Sequence, residues 1–348
     1  MIEDQGCVGL KDKQLFQATM AALRSRRKKV KVTHVVRAGN NNRRGHASTL
    51  ANEGALKPEA DVINVETDLH LKITGAKLNK MTQALAYKLI REKAMEKYMK
   101  RRQTEENIAL IRTAAKESFG KLPSPSAIWK SIRQKDISRN IRYFLWMTIH
   151  NAYMVGRNWE RPGFSPDFQQ HSKCTVCNVT ESMEHILTQC EATGQAEVWR
   201  LAKELWEKKS DIPFPNINIG TILASPSAQI GTKGESRLFR IIMTESAHQI
   251  WKHRCKRVVQ EEDAPTKHEV ARKWIDMINR RLELDCHMTH PKYEKKALSK
   301  AIVLLTWERT LLNEENLPLD WTREAGVLVG IQLQEDDGRG RDRRVGWM

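Results

Sequence analysis

No run of about 18 uninterrupted apolar residues occurs in the chain, and a membrane-spanning helix needs roughly that length. The most apolar stretch, Ala301-Ile-Val-Leu-Leu-Thr-Trp307, is too short to span and reads as a core helix. The first residues, MIEDQGCVGLKDKQLF, begin acidic and lack the apolar centre of a secretory signal, so the expectation is a protein that is not secreted. Cysteine is scarce, six in 348 residues, as is ordinary in a reducing compartment. Acidic residues are outnumbered, 42 against 59 Lys and Arg, which leaves a net charge of +17. A surplus of that size favours polyanions, above all nucleic acid, through counterion release. A hydrophobic fraction of 40% is enough to bury at least one full core.

What is present reads mainly as α-helix. Lys31-Val-Thr-His-Val-Val-Arg37 alternates and is rich in β-branched residues, which predicts a strand, with Gly39 to Asn42 as a loop and one or two helical turns over 47–53. Leu78, Met81, Leu85 and Leu89 share a helical face, and that helix is expected to run to about Ser118. Gly120 to Pro125 ends it, with Ser124 as the next N-cap and Pro125 at the first helical position. Ile141, Phe144, Leu145, Thr148 and Ala152 mark one buried stripe, and Val198, Leu201, Ala202 and Leu205 a second. Three later stripes follow: Phe239, Met243, Ala247, Ile250 and Val258; Ala271, Trp274, Ile275, Ile278 and Leu282; Leu298, Ala301, Ile302, Leu305 and Leu312. Prolines and Gly220 between Ser210 and Pro226 mark a subdomain boundary. The charged, Gly-containing tail over 332–348 is expected to be disordered.

Three of the six cysteines fall within 17 residues, in the pattern Cys174-x2-Cys177-x7-His185-x4-Cys190. Two thiols separated by two residues make a chelating turn, and the x4 spacing lets one helical turn or helix end supply the other two ligands. Three thiolates and one neutral imidazole complete a tetrahedron suited to zinc. With four protein ligands no position is left for water, so the expected site is structural and not catalytic. A redox pair would need a βαβ context, which neither flank provides. His171 is a competing ligand with a less usual spacing, and Glu184 reads as a solvated helix residue.

Around this cluster, Trp129-Lys-Ser-Ile, Arg139-Asn-Ile-Arg-Tyr-Phe-Leu-Trp146, Glu181-Ser-Met-Glu-His185-Ile-Leu-Thr-Gln-Cys190 and Glu197-Val-Trp199 resemble the zinc-binding domain that follows reverse transcriptase in non-LTR retrotransposons. The resemblance covers about 125–210 and implies a nuclear or cytoplasmic protein. Upstream, Thr33-His-Val-Val-Arg-Ala-Gly-Asn-Asn-Asn-Arg-Arg-Gly-His-Ala-Ser-Thr-Leu-Ala-Asn-Glu-Gly-Ala55 resembles the last strand and helix of a type 1 ribonuclease H domain. Ser48 stands where that family carries a metal-binding Asp, and Ala38 where it carries a mobile His. Two-metal phosphodiester hydrolysis needs anionic ligands, so the resemblance implies a remnant and no catalytic residue.

The expected architecture is therefore a helical domain with an embedded zinc knuckle, a short ribonuclease H-like β/α remnant before it and a helical bundle after it. Its segments are 1–56 (remnant and basic segment), 57–124 (linker and long charged helix), 125–210 (zinc-binding domain), 227–315 (C-terminal helices) and 332–348 (tail). Arg24, Arg26, Arg27, Lys28 and Lys29, with Arg139 and Arg142 on the later helix, are candidates for phosphate contact with RNA or DNA regardless of sequence. The leading expectation is a non-catalytic, zinc-containing nucleic-acid-binding fragment of a retrotransposon polyprotein. The alternatives are a ribonuclease H-type hybrid nuclease, incomplete here, and a helical scaffold in which zinc only fixes a turn. Trp199 and Trp274 lie on apolar stripes and are expected to pack the core rather than stack bases.

Overall fold

The computed structural model describes residues 3–10, 12–26, 42–59, 62, 65–73, 75–96, 98–99, 101–260, 263–331 and 333. The chain divides into two compact units, Met1–Met99 and Lys100–Met348. Helices dominate both. Among the described residues there is no strand, only the isolated bridges Lys173↔Thr180 and Leu311↔Val329. Among the described residues no helix is long and apolar enough to cross a membrane.

The first unit contains α1 (Lys13–Arg24), α2 (Asn42–Ala55) and α3 (Gln83–Glu96). Among its described residues the buried apolar side chains are Cys7, Ala21, Ile73 and Leu85. Ion pairs and a backbone bond supplement them, with Glu92 accepting from the Gly9 N–H at 2.7 Å and from Lys13 at 3.1 Å. The strand predicted over 31–37 lies outside the described residues, as does the tail from 334 onward. The helical turns predicted at 47–53 are present within α2, but every side chain described there is exposed. A ribonuclease H terminal helix would bury one face on its sheet, so the remnant proposed at 1–56 finds no support here.

The single helix expected from about 78 to 118 is instead α3 and, in the second unit, α4 (Arg102–Phe119). The apolar stripe expected to begin at Leu78 and Met81 is exposed at both of those positions. Gly120 closes α4 in the left-handed conformation that glycine adopts without strain (φ 68°). Ser124 caps α5 (Pro125–Ser131), accepting from the Ala127 N–H at 3.2 Å, and Ser138 caps α6 (Arg139–Ile149). Of the predicted α6 stripe Ile141, Phe144, Leu145 and Thr148 are buried, while Ala152 lies beyond the helix and is half-buried.

A short α7 (Pro166–Gln169) is followed by α8 (Gln195–Lys209), α9 (Ile219–Ala224), α10 (Lys233–Val259), α11 (Lys267–His287) and α12 (Lys300–Trp307). Capping boxes start α10 at Thr232/Glu235 and α11 at Thr266/Glu269. The 27-residue α10 is buried on every side along its first half, as a helix enclosed by others must be. Phe239, Met243, Ala247 and Ile250 of the predicted stripe are buried, and so are Ala271, Trp274, Ile278 and Leu282 of α11.

In α12 the predicted phase is wrong. Val303, Thr306 and Trp307 face inward, whereas Ala301 and Leu305 are exposed. A helix apolar almost all round carries no stripe from which to read its orientation, and here polar partners decide it. Trp307 donates to Asp285 at 2.9 Å, and Thr306 Oγ1 accepts from Arg237 at 3.1 Å. Arg237 is buried and bonds both oxygens of Asp285, at 2.6 and 2.8 Å, and Asp136 at 2.7 Å. One guanidinium thus ties α10, α11, α12 and the loop before α6 together. The core runs without interruption from Ile108 to Ile331 and includes Ile222, Leu223 and Ala224. The proline-rich 210–226 segment therefore crosses the core and does not separate two of them.

Candidate metal centre

Residues 172–181 form a tight loop closed by its own backbone. The Cys174 N–H donates to Val179 O at 2.8 Å, the Asn178 N–H to Cys174 O at 2.9 Å and the Glu181 N–H to Ser172 O at 2.9 Å. Asn178 takes the left-handed conformation (φ 54°) that such a turn requires, and asparagine tolerates it better than most residues. Cys174 and Cys177 therefore lie on the same side of the turn.

The other half of the site is a single wide turn over His185–Gln189, in which the Cys190 N–H bonds His185 O at 2.8 Å, five residues back. On a regular α-helix residues 185 and 190 would stand about 140° apart around the axis. The π-type turn is wider and brings them onto one side, which is how the x4 spacing becomes a chelating pair; such turns recur at functional sites. The turn is anchored at several points. Ser182 Oγ accepts from the His185 N–H at 3.0 Å, and the Leu187 carbonyl accepts from Trp199 Nε1 at 2.7 Å and from Gln195 at 3.2 Å. Met183, Ile186 and Leu187 are buried in the core.

The ligand atoms of Cys174, Cys177, His185 and Cys190 all lie within 4.8 Å of one another. The Cys190 sulfur is 3.8 Å from that of Cys174 and 4.0 Å from that of Cys177. Ligands about 2.3 Å from a tetrahedral centre stand roughly 3.8 Å apart, so the spacing fits a zinc-sized ion. His185 Nε2 is buried without a hydrogen-bond partner, an arrangement that costs about 1–3 kcal/mol unless a ligand accepts the lone pair. The thiols agree. For Cys174, burial raises the pKa but is outweighed by the N–H groups of Cys177 and Val176 and by His185, which leaves it lowered to about 7. Burial, with the adjacent thiols, pushes Cys190 up to about 11. The raised Cys190 resists ionisation beside its neighbours, and a divalent cation supplies the charge that offsets this. The donor set fits zinc, and with four protein ligands the centre is closed to substrate.

Two acidic residues do more than the sequence indicated. Glu181 is buried and pairs with Arg254 of α10, whose guanidinium also lies 5.5 Å from the Trp251 ring centroid. Its position four before His185 was the only signal. Glu184, expected to be solvated, instead accepts the Ile219 N–H at the start of α9 at 2.9 Å and the Thr188 hydroxyl at 2.8 Å. His171, considered as a ligand, stacks among Trp159 and Phe168 and is outside the cluster. Trp199 and Trp274 are core residues as expected.

The described basic candidates are engaged in different ways. Arg24 pairs with Glu3 and donates to Leu71 O at 3.0 Å, and Arg26 is exposed. Arg27, Lys28 and Lys29 lie outside the described residues. Arg139 is exposed on α6. Arg142 is turned back, donating to Ile137 O at 2.8 Å and Gln134 O at 2.9 Å, so it holds the turn before α6.

Residues 111–199 match the family model described as zinc-binding in reverse transcriptase, and all four ligands fall inside the match. No curated protein and no solved structure matches the chain.

Proposed function

We propose that this chain is a non-catalytic, retrotransposon-derived fragment whose structural zinc module holds RNA or DNA through the phosphate backbone, without sequence preference. The observation that carries the reading is the convergence of Cys174, Cys177, His185 and Cys190 within a segment that matches a reverse-transcriptase zinc-binding family. In this reading the ion crosslinks the 174–177 turn to the 185–190 turn, and its binding energy is folding energy. The net charge of +17 supplies the attraction to phosphate. The closed coordination set gives the ion no catalytic part. Nothing in the described residues favours the nuclease alternative.

Two measurements test the proposal. The purified chain is expected to carry one zinc, and the Cys177→Ser variant less than one. Binding to RNA and DNA of mixed sequence is expected to weaken steeply as salt rises, with similar affinity across sequences. One zinc without salt-sensitive binding at low ionic strength would leave the zinc assignment standing and favour the scaffold reading.

A further inference from the structure

The side of α6 opposite its buried stripe carries residues 139, 143, 146 and 150, spaced four, three and four apart, so they line one face. They are Arg139, Tyr143, Trp146 and His150. Tyr143 is 59% exposed and Trp146 is 44% exposed. Both are large rings that a helix of this core did not need to place outward. Their rings lie nearly parallel, 21° apart, with centroids 6.4 Å from each other. Trp146 meets His150 edge to face at 4.5 Å, and His150 stacks on Trp129 of α5 at 5.1 Å and 22°. The His150 ring is fixed from behind by Thr104 at 2.9 Å. The result is a ladder of four rings, held at one end and open at the Tyr143–Trp146 end.

Charge decides what fits it. From Trp129 to His150 the exposed cations are Lys130, Arg133, Lys135 and Arg139. The only acid in that stretch is Asp136, and it is bound to Arg237 and Arg240 at 2.7 and 2.9 Å. Exposed aromatic rings in a segment whose exposed cations outnumber its acids match a chain of unpaired bases on a phosphate backbone. A duplex hides its base faces and offers the ladder nothing beyond its phosphates.

We propose that single-stranded nucleic acid stacks its bases on the Tyr143–Trp146 face of α6 while Lys130, Arg133 and Arg139 contact its phosphates. The proposal rests on the nucleic-acid reading above and adds a preference for unpaired strands. The test uses the full zinc-loaded chain with a labelled oligo(dT) and a duplex of equal length, followed by fluorescence anisotropy across a salt series. The Tyr143→Ala/Trp146→Ala variant is expected to lose about fivefold or more in oligo(dT) affinity for each ring removed. Its salt slope, duplex affinity and zinc content should stay as in the parent, with at most a modest fall in melting temperature where Trp146 leaves His150. Tyr143→Phe/Trp146→Phe, which keeps the π faces, should retain most of the affinity. If the alanine variant binds oligo(dT) as the parent does, or loses duplex binding equally, the stacking site is overturned and the general nucleic-acid reading survives. If the parent binds neither probe, both fail.

Discussion

At position 185 the imidazole is buried with its Nε2 unpartnered, and at position 190 the sulfur lies about 4 Å from two others. A bound ion would answer both, so each ligand is expected to matter to folding as well as to metal content. Cys190→Ser should lower zinc occupancy and the melting temperature together. Treatment with a chelator should bring the parent down to the variant while leaving the variant almost unmoved; equal sensitivity of the two would remove the ion from the stability argument. Gly156 offers a prediction of another kind. Its φ is 54°, and a Cβ there would lie 2.0 Å from the Glu181 carbonyl oxygen. Gly156→Ala therefore combines a strained backbone with a backbone clash and should cost about 3 kcal/mol or more in denaturant unfolding. Gly120→Ala, at a comparable φ of 68° with open space for a Cβ, carries the backbone strain without the clash and should cost clearly less. The four ligands were legible in the sequence because their spacing is local. Gly156 was not, because the atom that forbids a side chain belongs to a residue 25 positions away.

Among elements, the same contrast explains what could and could not be read in advance. α5 announced itself through its Ser124–Pro125 start, and α6 and α8 through one-sided stripes. α12 did not, since an apolar surface on all sides leaves orientation to the Arg237–Asp285 pair contributed by other helices. The wide turn at His185–Gln189 was legible only as a short spacing; its form depends on Trp199 and Gln195 reaching back from α8. The link between α10 and the metal loop is the buried pair of Arg254 and Glu181. Breaking a buried ion pair at one end leaves an uncompensated charge and costs about 3–5 kcal/mol. Arg254→Met is expected to destabilise the chain by roughly that amount and to weaken zinc retention, since Glu181 lies within the loop that holds Cys174 and Cys177. The double variant Arg254→Met/Glu181→Leu should recover much of the loss. Absence of recovery in a urea titration would show that the pair contributes specific geometry that an apolar replacement cannot supply.

For the molecule as a whole, α10 is an element that the zinc turn, α8, α11 and α12 all pack against, and among its titrating groups two histidines oppose acid while Glu245, raised by burial, acts with the opposite sign. Burial pushes His248 down to about 4, with Lys252 adding to the effect. Burial also lowers His253 to about 4, with Lys273, Lys252 and Lys256 nearby. In the unfolded chain both return to about 6.5. Between those values the unfolded state binds more protons than the folded one, so stability rises with pH across the window and is lost on acidification from about 6.5 toward 4. Each histidine contributes at most about 1.4 kcal/mol per pH unit there. Protonation of the zinc thiolates also destabilises the fold in acid, so the parent alone cannot apportion the loss. His248→Gln/His253→Gln keeps the zinc ligands and removes both titrations. In denaturant unfolding from pH 7 to 4.5 its stability should fall less steeply than the parent's, the gap between the slopes being confined to pH below about 6.5. Parallel slopes would place the acid sensitivity in the metal site and leave α10 without a part in it.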